Sequence, residues 1–266
     1  MDLIWEGIRE AIRLLGSFDR EVVAVTLLTF KVSGLATLIS ILIGVPLGTF
    51  LGLKAFRGRG IWVGLVNMGM GLPPVIVGLL VSIMLWRNGP FGALGLIYTP
   101  AAMVIAQAVI ASPIVTGLSM AAVQQVDPRL RLQITALGAS GWQYFWLLLR
   151  EARLSLLAAI IAGFGGVISE IGASQMVGGN IKGYTRVLTT AIAMEVSRGH
   201  FGLAIALSII LLLLAYGVAY GLTVIQQRGR APVRQDYRLR MRRNTEVDHG
   251  PSLERETSAG FPSYRT

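Results

Sequence analysis

Long stretches without a single charged side chain constrain this chain more than any other feature. Val32 to Leu53 carries none, and Val22 to Phe30 extends the stretch upstream past the lone Lys31. Trp62 to Trp86, Asn88 to Val126 and Phe201 to Gln227 are equally free of charge, and Leu154 to Met176 is interrupted only by Glu170. Crossing about 30 Å of hydrocarbon at about 1.5 Å per residue takes roughly 20 apolar residues, and each run meets that length. At 53% hydrophobic and 14% charged residues the chain is too apolar for an ordinary soluble domain. Membrane barrels need short alternating strands, so runs this long and continuous exclude sheet.

The predicted spans are Val22 to Leu53, Trp62 to Trp86, Ala101 to Val123, Leu154 to Met176 and Phe201 to Gln227, with Asn88 to Pro100 as an outer loop. The expected fold is an all-α membrane protein of about five transmembrane helices. Glycine pairs such as Gly165-Gly166 suit helices that approach closely in lipid.

Orientation follows from the cations beside the spans. Lys54, Arg57, Arg59, Arg129, Arg131, Arg150 and Arg153 fall on one side together with the arginines from Arg228 to Arg243. The other side holds Arg9, Arg13, Arg20, Arg87, Lys182, Arg186 and Arg198, and acids offset those near the N-terminus. The N-terminus is therefore expected outside and the C-terminus in the cytoplasm. The net charge of +10 is divided among membrane-flanking loops, which fits anionic lipid headgroups and argues against nucleic acid.

Three parts are expected. Residues 1–20 read as an interfacial amphipathic helix, with Ile4, Ile8, Ile12 and Leu15 on one face and Glu6, Arg9, Glu10 and Arg13 on the other; those charges also break the apolar core a cleaved signal peptide needs. Residues 21–227 form the transmembrane domain, and residues 228–266, rich in arginine, proline and serine, form a basic, disordered cytoplasmic tail.

Catalytic constellations are lacking. There is no cysteine, and His200 and His249 fall on opposite sides of the expected membrane. Gly178-Gly179-Asn180-Ile181-Lys182-Gly183 lacks the spacing and the Lys-Ser/Thr pair of a phosphate loop. The chain is expected to be no enzyme and to hold no cofactor or metal.

Transport is the leading class. Pro73 and Pro74 delete helix hydrogen bonds inside the second span, and broken backbone at membrane depth is tolerated only beside protein or water. Glu170 is the one carboxylate inside a span; it calls for a partner, read as a structural or gating contact with a lysine or arginine. Between spans three and four lies a polar, aromatic island. Asp127-Pro128 starts a short helix, Gly138 ends it, and Ser140 caps a second that carries Trp142, Phe145 and Trp146. These residues suit a plug for a partner's groove, or a connector resting on lipid.

Ala136-Leu137-Gly138-Ala139-Ser140 with Trp142 resembles the cytoplasmic coupling loop of ATP-binding-cassette importer permeases. That family's loop begins with Glu-Ala-Ala, where this chain has Leu132-Gln133-Ile134, and ends in Ile-x-Leu-Pro, where it has Arg150-Glu151. The stretch Ile168 to Glu195 is similar to the segment after the coupling loop in tungstate permeases, with related versions in molybdate and sulfate permeases.

The resemblance implies a type I importer-like bundle with a coupling loop at 127–153. It makes Gln133, Ala136, Gly138, Ala139, Ser140 and Trp142 ATPase-coupling residues, with Arg129, Arg131 and Gln133 as candidates to replace the missing acid. Pro73, Pro74, Glu170, Lys182, Thr185 and Arg186 are pathway or gate candidates; the last three, with Thr189 and Thr190, could guide a tetrahedral oxyanion by charge and hydroxyl donors. The implied partners are a second copy of the chain, two cytoplasmic ATPases that carry ATP and Mg, and an external oxyanion-binding protein. An ion-coupled secondary transporter using Glu170 stands as the alternative from another class.

Overall fold

The computed structural model describes residues 2–17 and 19–228. The basic tail lies outside the described residues, as does the side chain of Leu15. All regular structure among the described residues is helical, with no strand among them.

Five crossings follow from the order and direction of the helices. Helix α1 (Asp2–Gly16) precedes α2 (Arg20–Leu53), whose N-terminus is capped by the Asp19 carboxylate accepting from the backbone of Glu21 and Val22 at 2.9 and 3.1 Å. At about 1.5 Å per residue α2 is roughly 50 Å long, more than the bilayer core needs, so it tilts or projects beyond it. Next come α3 (Arg59–Met70) and α4 (Pro74–Leu85), then α5 (Pro100–Gln124).

Helices α2 and α5 run parallel. Ser40 donates to the Ala108 carbonyl, a Cβ on Gly44 would meet Val115, and one on Gly48 would strike the Thr116 carbonyl and Ser119. Small residues at Ser33, Thr37, Ser40, Gly44 and Gly48 give α2 one face that lets two backbones approach this closely. Two parallel spans require a crossing between them, which α3 and α4 supply in two pieces at a bend of 103°. Pro73 stands at the N-cap of α4 and Pro74 at its first turn, so the chain breaks where the two residues lack N–H donors.

After α5 the chain makes an elbow of α6 (Pro128–Ala136) and α7 (Gly141–Glu151), then returns through α8 (Arg153–Ile168) at 72° to α7. The expected fourth span is not continuous. It stops at Ser169 to Ile171 and resumes as the short α9 (Gly172–Gly178). Alpha8 and α9 run antiparallel to α5: Gly163 packs on Val115, Ser174 bonds Gln107, and Gly178 packs on Met103. The close approach falls at Gly163; nothing lies within 4 Å of a Cβ on Gly165. A further short helix, α10 (Leu188–Ser197), which the apolar runs did not foretell, packs Leu188 and Ala191 against Val22 and Val25 of α2 and against α11 (Phe201–Arg228). Alpha11 then crosses back, its Gln226 amide donating to the Leu154 carbonyl at the start of α8.

Helix α1 rests on α11 through a seam different from the expected apolar face. Gly7 is pressed against Ile205, and Ala11 is buried, whereas Ile4, Trp5 and Ile12 are exposed. A small-residue seam lets α1 lie close to a span while its large apolar side chains point outward.

Candidate functional site

Three places gather the residues singled out from the sequence: the elbow between α5 and α8, the region where the two broken spans meet, and a charged cavity beside Glu21.

The elbow folds by local rules. Asp127 accepts from the Arg129 amide at 2.8 Å, and Pro128 occupies the first turn of α6. Gly138 sits at φ +74°, a left-handed conformation that side chains with a Cβ adopt at a cost, and it ends α6. Ser140 opens α7 in a reciprocal capping box: its hydroxyl accepts from the Gln143 amide while the Gln143 side chain accepts from the Ser140 amide. Leu148 and Ile134 anchor the pair to the end of α5, packing against Val123 and Val126.

With the backbone satisfied, the apolar side chains turn outward. Leu137 is 87% exposed and Trp142 67%, joined by Leu132 and Trp146. Trp142 stacks on Phe145 at 5.7 Å between centroids and meets Trp146 edge-on at 5.9 Å, so the three rings form one packed patch. Gln133, Ala136, Gly138 and Ser140 are exposed with it, and Ala139 is half-buried. A groove of about 760 Å³ beside the patch is lined by Leu137, Gln143, Trp146, Arg150 and Arg153. Arg131 is otherwise engaged: its guanidinium donates to the Val123 and Gln124 carbonyls and closes the C-terminus of α5. It is thus withdrawn from the contact the sequence offered it, leaving Arg129 and Gln133.

The second region brings Pro73, Pro74 and Glu170 together across a packed seam. A Cβ on Gly172 would lie 2.7 Å from Val75, and one on Gly78 would lie 2.6 Å from Ala173. The start of α9 is therefore seated on the start of α4. The Glu170 carboxylate accepts from the Ala173 amide at 2.9 Å, satisfying the open end of α9; among the described residues it forms no ion pair. The expected lysine or arginine partner is replaced by the helix's own N–H group, which supplies a donor at no cost in burying a second charge.

Lys182 and Arg186 lie elsewhere, at the other end of the spans, and both pair with Glu21, at 2.7 and 3.7 Å. They line a cavity of about 350 Å³ with Glu195 and Arg198; Glu195 in turn contacts Arg198 at 3.3 Å and His200 at 2.8 Å. Acids and cations alternate around this cavity, so it is not the purely cationic mouth that Lys182 and Arg186 suggested alone. Thr185 is buried, donating to the Gly178 carbonyl at 2.6 Å and accepting from the Ile181 amide at 2.9 Å. Thr189 donates to the Glu170 carbonyl at 3.0 Å. Sequence reasoning missed Gln107 and Ser174, a buried pair linked at 3.0 Å between α5 and α9; a polar residue in each of two apolar runs was the available signal.

Five crossings, two of them broken, and an exposed aromatic elbow are the architecture of a multi-pass membrane protein. The chain belongs to the family described as the binding-protein-dependent transport system inner membrane component, which matches residues 44–230. It is 41% identical over 218 residues to the tungstate uptake system permease protein TupB of Peptoclostridium acidaminophilum, covering 82% of this chain and 96% of that one. It is 38% identical over 201 residues to a probable anion ABC transporter permease protein of Haloferax volcanii, covering 74% and 87%. Its fold is similar to that of a chain in an inward-facing structure of the MetNI methionine ABC transporter, with a TM-score of 0.69 and 18% identity over 81% of this chain and 99% of that one. The chain is thus a multi-pass permease subunit, a transport component of an ABC importer.

Proposed function

We propose that this permease carries tungstate, with a second copy of itself forming the pathway, two cytoplasmic ATPases docked on the elbows, and an external oxyanion-binding protein delivering the anion. The observation that carries the substrate is the 41% identity to a tungstate uptake permease over 96% of its length. Molybdate and sulfate, also tetrahedral oxyanions, are the nearest competing substrates.

ATP and Mg belong to the partner. The elbow supplies a preformed aromatic patch beside a groove, the arrangement a helix-in-groove contact uses, with Trp142, Gly138, Ser140, Ala139, Ala136 and Gln133 on or next to it. Partner closure would draw two elbows together and tilt the spans, alternating access by rigid-body motion. The exposed apolar face of α11, with Leu212, Leu213, Tyr216 and Tyr220, needs either lipid or the second copy to cover it. The cation distribution supports an external N-terminus and a cytoplasmic C-terminus, with α1 in the outer interface, its exposed Ile4, Trp5 and Ile12 toward lipid. Pro73, Pro74 and Glu170 belong to the gate region. Lys182, Arg186 and Thr185 serve it indirectly, by holding the outer segment in shape.

The test is uptake of labelled tungstate by proteoliposomes containing the permease, its ATPase and the binding protein, with molybdate and sulfate as competitors. Tungstate uptake resisted by only a large excess of either competitor supports the proposal. Equal uptake of sulfate would refute the substrate assignment.

A further inference from the structure

The seat of α9 holds a buried polar atom that no described residue satisfies. Gln107, 2% exposed, donates its amide to Ser174 at 3.0 Å, and its other amide atom, Oε1, is buried with no partner among the described residues. Whichever way the amide is turned, Ser174 serves only one end of it. Met103, Ala106, Ile110, Ala173 and Val177 surround the pair, and an unpaired amide in such apolar surroundings favours any conformation that gives it a partner.

The bonds around α9 are unevenly distributed. Thr189 satisfies the carbonyl before its first turn and Thr185 the carbonyl of Gly178 at its end, so α9 and the segment that follows form one unit. Its C-terminal end is also tied to the outer loop, where the Tyr98 amide donates to the Val177 carbonyl at 2.8 Å. At the N-terminal end the backbone is broken at Ser169 to Ile171, and Gln107 to Ser174 is the side-chain bond across to α5. Apolar packing does the rest there: Gly172 on Val75, Gly78 on Ala173, and Ala173 in one buried cluster with Ala106 and Ile110.

Resting on the transport reading above, we propose that residues 169–174 are a movable gate segment that leaves its seat on α4 and α5 once in each transport cycle. Gln107 is the positioning residue: it latches the segment through Ser174 while its unpaired oxygen limits how firmly the latch holds. Deleting the amide with Gln107→Leu, or Gln107→Met as a second choice, removes the latch bond and leaves the buried Ser174 hydroxyl without it, which favours release. Ser174→Ala leaves both ends of the amide unpaired and favours release.

The seat can be measured directly because the chain has no cysteine of its own. A Cβ on Gly172 would stand 3.8 Å from that of Val75, the usual spacing across a disulfide. The Val75→Cys, Gly172→Cys pair in the assembled transporter should therefore cross-link under mild oxidation. Its rate should fall with Gln107→Leu and with Ser174→Ala, each by roughly two- to tenfold, the range of one net hydrogen bond. This readout does not depend on which anion is carried. In the uptake assay the oxidised pair should be blocked and reductant should restore it, whereas Gln107→Leu should lower the maximal rate at unchanged KM. Full-speed uptake by the completely cross-linked transporter, or equal cross-linking rates in all three backgrounds, would overturn the proposal. Absence of tungstate uptake in the reduced and wild-type proteins alike would refute the substrate assignment, while the cross-linking rates would still decide the gate.

Discussion

The elbow at residues 127–153 and the outer stretch at residues 169–200 are both polar interruptions in an apolar chain, yet they use their polar side chains in opposite ways. In the elbow the backbone ends are closed locally, by Asp127 on α6 and by the Ser140–Gln143 box on α7, and the aromatics are left facing out. In the outer stretch Thr185, Thr189, Asn180 and Glu170 turn inward to bond carbonyls and amides of the irregular backbone. The difference follows from solvent. A solvent-facing loop can leave residual groups to water, whereas backbone broken at membrane depth must find its partners within the protein. Polar residues in the first region are thus available to a partner protein; in the second they are consumed by the fold.

Substitutions can break or sharpen that contrast. The largest effect is expected from Trp142→Ala with Trp146→Ala, which removes the exposed aromatic patch without touching a span. ATPase affinity, measured by titration in detergent or nanodiscs, should fall by about 30-fold or more, as for loss of a hot spot worth about 2 kcal/mol, while thermal stability of the isolated permease changes little. Unchanged affinity would mean that the partner docks elsewhere.

Next comes Thr185→Val. The side chain keeps its shape, but the Gly178 carbonyl and the Ile181 amide lose their partner in a buried site, at a cost of about 1–3 kcal/mol. Stability should drop and ATPase affinity should not, the reverse of the tryptophan pair. Ser140→Ala is smaller, about 1 kcal/mol from the lost cap, read as weaker ATPase binding through fraying of the first turn of α7. The smallest effect is expected at Lys182→Ala. Its pair with Glu21 is solvent-exposed on both sides, 65% and 50%, and such pairs are worth about 0–1 kcal/mol before screening, so uptake should change by less than about twofold. A large loss of uptake at low anion concentration would instead assign Lys182 a direct contact with the anion.

The same contrast explains what could be read from residues alone. Span limits were legible because length and lack of charge are set by the bilayer: the third and fifth expected spans, Ala101 to Val123 and Phe201 to Gln227, fall within a residue of α5 and α11. The elbow was legible because caps act over three or four residues, and Asp127, Gly138 and Ser140 each stand where the local rule puts them. The break after Ile168 was not. Residues on both sides are equally apolar, so Leu154 to Met176 passes for one span, and Glu170 marks the place without indicating that the helix ends there. Helix α10 was hidden for a related reason: its apolar face is short and is covered by α2 and α11 rather than by lipid. Arg131 illustrates the remaining limit. Its charge suggested a partner outside the chain, and only the fold brings the end of α5 within its reach.

The energy source tests the account most directly. Proteoliposomes holding the permease with its ATPase and binding protein should accumulate tungstate only when ATP is available to the ATPase, and should stop when Trp142 and Trp146 are replaced by alanine. Uptake by the permease alone, driven by a proton or sodium gradient without ATP and lost in Glu170→Gln, would contradict it.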